Sequence, residues 1–347
     1  MPTIIDSNIY QSNKKIDLTP KSSNKIEYNK DDFLDNAHFL LEDVKREYQY
    51  ISTNEPQVNK ILENLSPKEK GFYLDEQYVK NYINQQKNLN KINQISDVVN
   101  IDQPIDKYPT DSLSDLFNEV KKSIILGKND YLDVFKNVFS KYMDFVKDLR
   151  EKLAELSTAV KASSKDGYIN IDVKKLLNNL NMISANYSDN NILKMDMSFK
   201  KESDGRYSRV VNGEKIYYKN VVEAENASLE VLKLLNQIKG VTSERQNLSS
   251  SVQPNLSFWF DVNIDLSGVD KLINYLKAMP QDPHDILQTE FDLLKKTLDA
   301  VEKQVNTNLD ELSKKYSTAN SNYDNFVKIV SSTMDTLLEM AKGFLRF

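Results

Sequence analysis

The chain has 347 residues with no cysteine, 8 glycines, 9 prolines and a formal net charge of −5. The absence of thiols excludes disulfides, thiolate-bound zinc and a cysteine nucleophile, and scarce glycine disfavours turn-dense β folds and phosphate-binding loops. Mild acidity without a basic stripe argues against a nucleic-acid partner, and no apolar run reaches the length of a membrane span.

The amino-terminal residues 1–31 are rich in serine, asparagine and lysine and carry no hydrophobic period. This composition predicts a disordered arm. The arm lacks the charged start, apolar core and cleavage site of a classical signal peptide, so we expect an exported chain to use another route.

Two helices are predicted after the arm, forming an α-helical hairpin over residues 32–99. The second begins where Ser66 can cap the helix, Pro67 takes the first helical position and Glu69 completes a capping box. Residues 100–110 contain two prolines and predict a linker.

The first half of a coiled coil is predicted over residues 111–162. Its apolar residues recur at alternating steps of three and four, the spacing of a coiled-coil seam, with a weaker extension upstream of Gly127. The seam consists of Leu132, Phe135, Phe139, Tyr142, Val146, Leu149, Leu153, Leu156 and Val160.

The second half is predicted over residues 282–347, with Asp282 as cap and Pro283 as the first helical residue. Its apolar stripe runs to Phe347 and contains one extra step of four, between Val305 and Leu309, which locally unwinds a supercoil. A helix of this length is a rod of about 95 Å. Such a rod cannot be buried inside a globule.

Between the two halves, residues 163–281 mix period-2 segments with helical stretches. Asn212-Gly213 lies between two short β patterns and predicts a type I′ hairpin. The predicted fold class is therefore mainly α: an elongated antiparallel coiled coil with an amino-terminal α-helical hairpin and an inserted small α+β module.

In an antiparallel pair, the shorter first helix ends before the second helix does. The apolar residues of 337–347 then extend past their partner, although burying each is worth roughly 1.5–3 kcal/mol. We expect either the amino-terminal hairpin or another protein to cover this end.

The carboxy-terminal block YSTANSNYDNFVKIVSST, Tyr316 to Thr333, closely resembles the end of the needle-tip proteins of type III secretion systems, the IpaD/SipD/BipD family. SLSDLFNEVKKSI with DYLDVFKNVFSKYMDF resembles the start of the family's first coiled-coil helix, and WFDVNIDLSGVDKLINYL its last strand and following helix. The resemblance extends from about residue 110 to the end and is weakest over 187–255.

The resemblance implies a protein secreted through the type III apparatus and located at the needle tip on the bacterial surface. The 1–31 arm would serve secretion and the 32–99 hairpin would act as a self-chaperone. The implied partners are the needle subunit, about five copies of the chain itself in a homo-oligomer, and the hydrophobic translocators. The resemblance also implies that the protein serves as a platform for translocon assembly and senses bile salts during host-cell invasion.

The end of the second helix is the predicted contact with needle subunits or with the next tip subunit. The candidate contact residues are Tyr323, Asn325, Lys328, Ser332, Leu337 and Phe344. For 337–347 a purely structural role is an equal alternative. Phe135 and Phe139 are candidates for a bile-salt cleft where the hairpin meets the coiled coil, with plain helix packing as the alternative.

No enzymatic activity, cofactor or metal is predicted. The two histidines, His38 and His284, are remote in sequence, and His284 is expected in a first helical turn. The Asp189-Asn190-Asn191 cluster lacks the spaced ligands of a calcium loop and is interpreted as a turn. The alternative function is a secreted type III effector that acts on host cells through its coiled coil.

Overall fold

Helices dominate the part of the chain that the structure describes. The structure is a computed structural model and describes residues 30–51, 60–99, 110–188, 193–248 and 255–345. The helices are α1 (Lys30–Gln49), α2 (Lys60–Glu63), α3 (Pro67–Val99), α4 (Thr110–Leu126), a π-helix (Gly127–Leu132), α5 (Asp133–Ala154), α6 (Leu156–Ala159), α7 (Val173–Ser188), α8 (Val221–Leu235), α9 (Ser267–Lys277) and α10 (Gln288–Leu345).

The strands form two antiparallel sheets. They are β1 (Val160–Ala162), β2 (Tyr168–Ile171), β3 (Leu193–Lys201), β4 (Tyr207–Val211), β5 (Glu214–Tyr218), β6 (Val241–Asn247), β7 (Leu256–Ile264) and β8 (His284–Leu287). One sheet has the order β1-β2-β8 and the other the order β5-β4-β3-β7-β6. The predicted fold class, a coiled coil with an inserted α+β module, is confirmed.

The coiled coil is antiparallel. Arg150 of α5 hydrogen-bonds Asn306 near the start of α10, Phe139 packs on Tyr316, and the carbonyl of Ile124 in α4 accepts a hydrogen bond from Tyr323. Residue numbers thus decrease along α5 and α4 as the numbers of their partners in α10 increase, so the paired helices run in opposite directions.

Both predicted helix boundaries next to the module are wrong. The first helix does not reach residue 162, because Val160 begins β1 and pairs with Ile171. The second starts at Gln288 and not at Pro283, because residues 284–287 pair with β2 and bury Ile286. His284 therefore lies in a strand. Glu290 accepts a hydrogen bond from the backbone N–H of Leu287 at 3.0 Å, which caps α10.

The amino-terminal helices pack on the coiled coil more than on each other. α3 lies along α10, and α1 packs against α4 and α10. The capping box at the start of α3 is confirmed, with a 2.8 Å bond from the Ser66 N–H to Glu69 and a 3.4 Å bond from the Glu69 N–H to the Ser66 hydroxyl.

The predicted type I′ hairpin is also confirmed. Val211 pairs with Glu214 around a two-residue turn, in which Asn212 and Gly213 have φ of 50° and 84°. Among the described residues, no helix combines the length and apolar character of a membrane span. The Asp189 cluster and Phe347 lie outside the described residues.

Candidate functional site

α3 lies along α10 up to Asp335, close to the end that was predicted to lack an intramolecular partner. Lys70 contacts Asp310 at 2.5 Å, and Lys91 contacts Asp335 at 2.7 Å. The nearly constant difference in residue number shows that α3 and α10 run parallel. Leu337 is fully buried beyond the last of these contacts. The intramolecular alternative of the sequence analysis therefore applies to Leu337.

The middle of the contact between α3 and α10 is polar, although it is buried. We call it the amide seam; its α3 side consists of Gln77, Asn81, Gln85 and Asn88, spaced by steps of three and four. Asn81 donates to the backbone carbonyl of Asn320 at 2.9 Å and to its side-chain oxygen at 3.1 Å. Asn88 donates to the carbonyl of Val327 at 2.9 Å. These bonds fix the register of the two helices.

The amide seam also contains buried polar atoms with no hydrogen-bond partner in the described part of the chain. They are the side-chain oxygens of Gln77, Asn81, Gln85 and Asp324 and the side-chain nitrogen of Asn320. Each buried atom of this kind destabilises a fold by about 1–3 kcal/mol. The packing of α3 on α10 is therefore weaker than an apolar seam of equal length.

The π-helix packs against one tyrosine of α1 and one tyrosine of α10. A Cβ atom at Gly127 would lie 3.1 Å from the ring of Tyr48 and 3.2 Å from the ring of Tyr323, so a larger residue would have to displace one of these rings by a few tenths of an ångström. Tyr323 is fully buried and donates its hydroxyl to the carbonyl of Ile124 at 2.9 Å. Burial raises the pKa of Tyr323 well above its usual value.

A charged cluster joins the π-helix to α3. Lys128 contacts the Asp133 carboxylate at 2.7 Å, and Tyr78 of α3 donates to the same carboxylate at 2.8 Å. Burial acts to lower the pKa of Lys128, but the hydrogen bond and charge of Asp133 outweigh it, and the net pKa is raised. Lys128 therefore stays protonated inside this contact.

A buried ion pair joins the π-helix to the module. Arg209 of β4 contacts Asp130 at 2.6 Å, with side chains that are 7% and 11% exposed. Burial acts to lower the pKa of Arg209, and the charge of Asp130 reverses this effect. Removal of either partner would leave an uncompensated buried charge. Nothing in the sequence pattern indicates this pair, because it joins two segments far apart in the chain.

The structure divides the six predicted contact residues into separate groups. Tyr323 and Leu337 are buried in the core, so neither is accessible in this conformation. Asn325, Lys328 and Ser332 lie exposed on the opposite face of α10. Phe344 lies in α10, and its side chain is outside the described residues.

The two phenylalanines predicted for a bile-salt cleft are core residues. Phe135 and Phe139 are each 4% exposed, and they pack against the rings of Tyr131 and Tyr316. Plain helix packing, the alternative of the sequence analysis, describes their surroundings because helices cover both rings.

A cavity of about 370 Å³ lies nearby, between α1, the π-helix and α8. Its lining combines apolar residues with the largely buried Asp130 and the exposed residues Glu230 and Lys233, and partial burial raises the pKa of Glu230. The lining residues are Tyr48, Gln49, Ile51, Leu126, Asp130, Tyr131, Ala227, Glu230, Val231, Lys233, Leu234 and Gln237. The helical period of the sequence could not place this cavity, because it forms between elements that are distant in the chain.

Within the described ranges, no group of three histidine or acidic side chains is placed to hold a metal ion.

Comparison with known proteins identifies related chains. The chain is 26% identical over 244 residues to the cell invasion protein SipD of Salmonella typhimurium, which covers 69% of this chain and 64% of SipD. It is 22% identical over 245 residues to the invasin IpaD of Shigella dysenteriae, covering 70% and 63% of the two chains. The match thus spans less than two thirds of each relative.

Solved structures of BipD, an invasion protein associated with the type III secretion system of Burkholderia pseudomallei, are also similar. One of them matches with a TM-score of 0.46 and 14% identity, covering 87% of this chain and 94% of BipD. The family model of type III secretion systems tip complex components matches residues 85–345, most of the chain. The chain therefore belongs to the family of type III secretion systems tip complex components.

Proposed function

We propose that the chain caps the needle of a type III secretion system, restrains secretion until host contact and serves as the platform for translocon assembly during host-cell invasion. The exposed face of α10 at Asn325, Lys328 and Ser332 carries this proposal. This face lies in the block that resembles the family most strongly. A polar, solvent-exposed face on such a long helix provides a regular surface for binding to a helical polymer.

Binding to polymerised needle subunit tests this contact. Lys328→Glu reverses an exposed charge that pairs with Asp324 of its own helix, and we expect needle binding to weaken at least tenfold. Lys296→Glu, an equally exposed lysine near the start of α10, is the matched control and should bind normally. Equal binding by wild type, Lys328→Glu and a chain truncated after Thr333 would reject the contact.

The burial of α10 by α1 and α3 supports the proposed self-chaperone role of the amino-terminal helices. The buried stripe under α1 and α3, including Tyr323 and Leu337, becomes accessible only when these helices move away. We therefore expect a chain lacking residues 1–100 to self-associate at concentrations at which the full chain is monomeric. Sedimentation velocity of both chains measures this difference, and identical monomeric behaviour would contradict it.

A freely acting effector remains the alternative function, and a gene deletion distinguishes the two. Loss of translocation together with deregulated secretion supports a tip protein. Normal secretion with a single missing host phenotype supports an effector. An effector also has no requirement for the exposed face of α10, so Lys328→Glu would then leave its phenotype unchanged.

We further propose that the cavity beside the π-helix, and not Phe135 and Phe139, receives bile salts. Its volume of about 370 Å³ and its apolar walls suit a steroid, and Lys233 at its rim can pair with the carboxylate. Ala227→Phe should fill the cavity and abolish saturable deoxycholate shifts in NMR spectra. Val222→Phe, on an exposed position of the same helix, is the control, and equal shifts in both variants would refute the site.

A further inference from the structure

On one face of the five-stranded sheet, the side chains of β3, β7 and β6 are exposed or partly exposed. On the inner face, Arg245 reaches Ser228 of α8 at 2.5 Å, and the apolar residues of β7 are buried. The outer face carries the alternate residues of each strand. We define it by three neighbouring strands, of which β6 is the edge strand of the sheet: Lys194, Asp196 and Ser198 of β3; Ser257, Trp259 and Asp261 of β7; and Thr242, Glu244 and Gln246 of β6.

Trp259, the single tryptophan of the chain, is at the centre of this face and is partly exposed. Its indole N–H donates to Asp261 at 2.7 Å. Because residues two apart on a strand point to the same side and are about 7 Å apart, this bond holds the ring along the strand. The indole therefore extends along the strand on the outer face, where it is partly exposed.

Hydrogen-bonding side chains flank the ring on both sides. Asp196 of β3 pairs directly with Trp259 in one direction, and Gln246 of β6 pairs with it in the other. Both are exposed. Gln246 also donates to Asp261 at 2.9 Å, which fixes the amide next to the indole. The indole of Trp259 is therefore an apolar surface with the carboxylate of Asp196 on one side and the carboxamide of Gln246 on the other.

We propose that this outer face binds a neutral sugar, with one pyranose ring stacked on Trp259. A pyranose has an apolar C–H face that fits an aromatic plane and a rim of hydroxyls that both donate and accept. Asp196 accepts from one hydroxyl, and the Gln246 amide exchanges hydrogen bonds with another. An apolar peptide side chain on the ring would desolvate both groups without pairing them.

The local charge selects a neutral sugar over an acidic one. Asp196, Glu244 and Asp261 surround the ring, and Lys194 supplies the opposite charge nearby. The negative charges exceed the positive ones at this place, so a sialylated glycan is repelled. The site does not depend on how the chain contacts the needle.

Intrinsic fluorescence tests the site directly, because all tryptophan emission of the full chain comes from Trp259. Titration with the neutral tetrasaccharide lacto-N-tetraose should give a saturable change in emission with a Kd on the order of 1 mM, as for a shallow site that covers one sugar ring. Its sialylated form should bind at least several-fold more weakly.

Variants separate the site from non-specific effects. Asp196→Ala removes a charged hydrogen-bonding group but keeps the fluorophore, and should raise the Kd roughly tenfold. Thr242→Ala, exposed on the same face but beside Asn263, should leave the Kd unchanged within about twofold. A flat titration of the wild type, or an equal Kd for wild type and Asp196→Ala, would overturn the proposal. Binding of a purified translocator protein to this face, without competition from lacto-N-tetraose, would also overturn the proposal.

Discussion

Replacement of Gln85 by leucine is expected to strengthen the packing of α3 on α10. Gln85 is 3% exposed, and its side-chain oxygen has no hydrogen-bond partner in the described chain. By the register of the amide seam it lies level with Asp324, which has an unpartnered oxygen of its own. Leucine removes one of these two acceptors and fills most of the same volume.

The size of the effect follows from two opposing contributions. Removal of a buried, unpaired acceptor stabilises by about 1–3 kcal/mol, and the change of side-chain shape in a close-packed site destabilises by up to about 1 kcal/mol. With the full cost of the shape change, the net gain is up to about 2 kcal/mol, a factor of up to about 30 in the equilibrium for detachment of α3.

Native-state hydrogen exchange of the α3 amides measures this equilibrium without unfolding the coiled coil. Asn88→Leu is the matched control in the same seam, because no side-chain atom of Asn88 is among the unpaired ones. It removes the hydrogen bond to the carbonyl of Val327 and should lower α3 protection by about 0.5–1.5 kcal/mol. If both leucine variants shift protection in the same direction and by the same amount, the description of the seam as under-paired is incorrect.

Three further substitutions test the junction at the π-helix. Gly127→Ala drives a methyl group into two tyrosine rings and should lower the free energy of unfolding in urea by about 1–3 kcal/mol, whereas Gly268→Ala meets nothing nearer than 3.9 Å and should cause no loss. Arg209→Ala leaves Asp130 buried without its partner and should destabilise by about 3–5 kcal/mol, which calorimetry measures as a lower Tm; an unchanged Tm would contradict a buried pair. Tyr323→Phe removes one buried hydroxyl bond and should cost about 0.5–1.5 kcal/mol in the urea assay; a larger loss would indicate that the ring packing was disturbed.

Features that depend on neighbouring residues were predictable from the sequence. The capping box of Ser66 and Glu69 and the hairpin at Asn212-Gly213 each involve residues a few positions apart. The seam of α5 and α10 was also predictable, since hydrophobic periodicity alone determines which face of a helix is buried.

Features that depend on distant segments were not predictable. Residues 284–287 carry a helix-start pattern, yet they form β8 because Ile286 is buried in pairing with β2. The same limit applies to the candidate contact face. Helical periodicity places Tyr323 and Leu337 on the apolar side of α10, but it cannot determine that α1 and α3 cover this side while Lys328 stays exposed.

The π-helix connects the parts of the molecule that the proposed function requires to act together. It contacts the module through Arg209 and Asp130, and α3 through Lys128 and Tyr78. Because interiors are close-packed and transmit strain, a displacement of the module at Arg209 must be accommodated within the six residues that also hold α3. Since α3 is attached to α10 by an under-paired amide seam, we expect it to yield to such a displacement more readily than the apolar seam of α5 and α10 does. A signal received by the module would therefore loosen the covering of α10 before it disturbed the coiled coil itself.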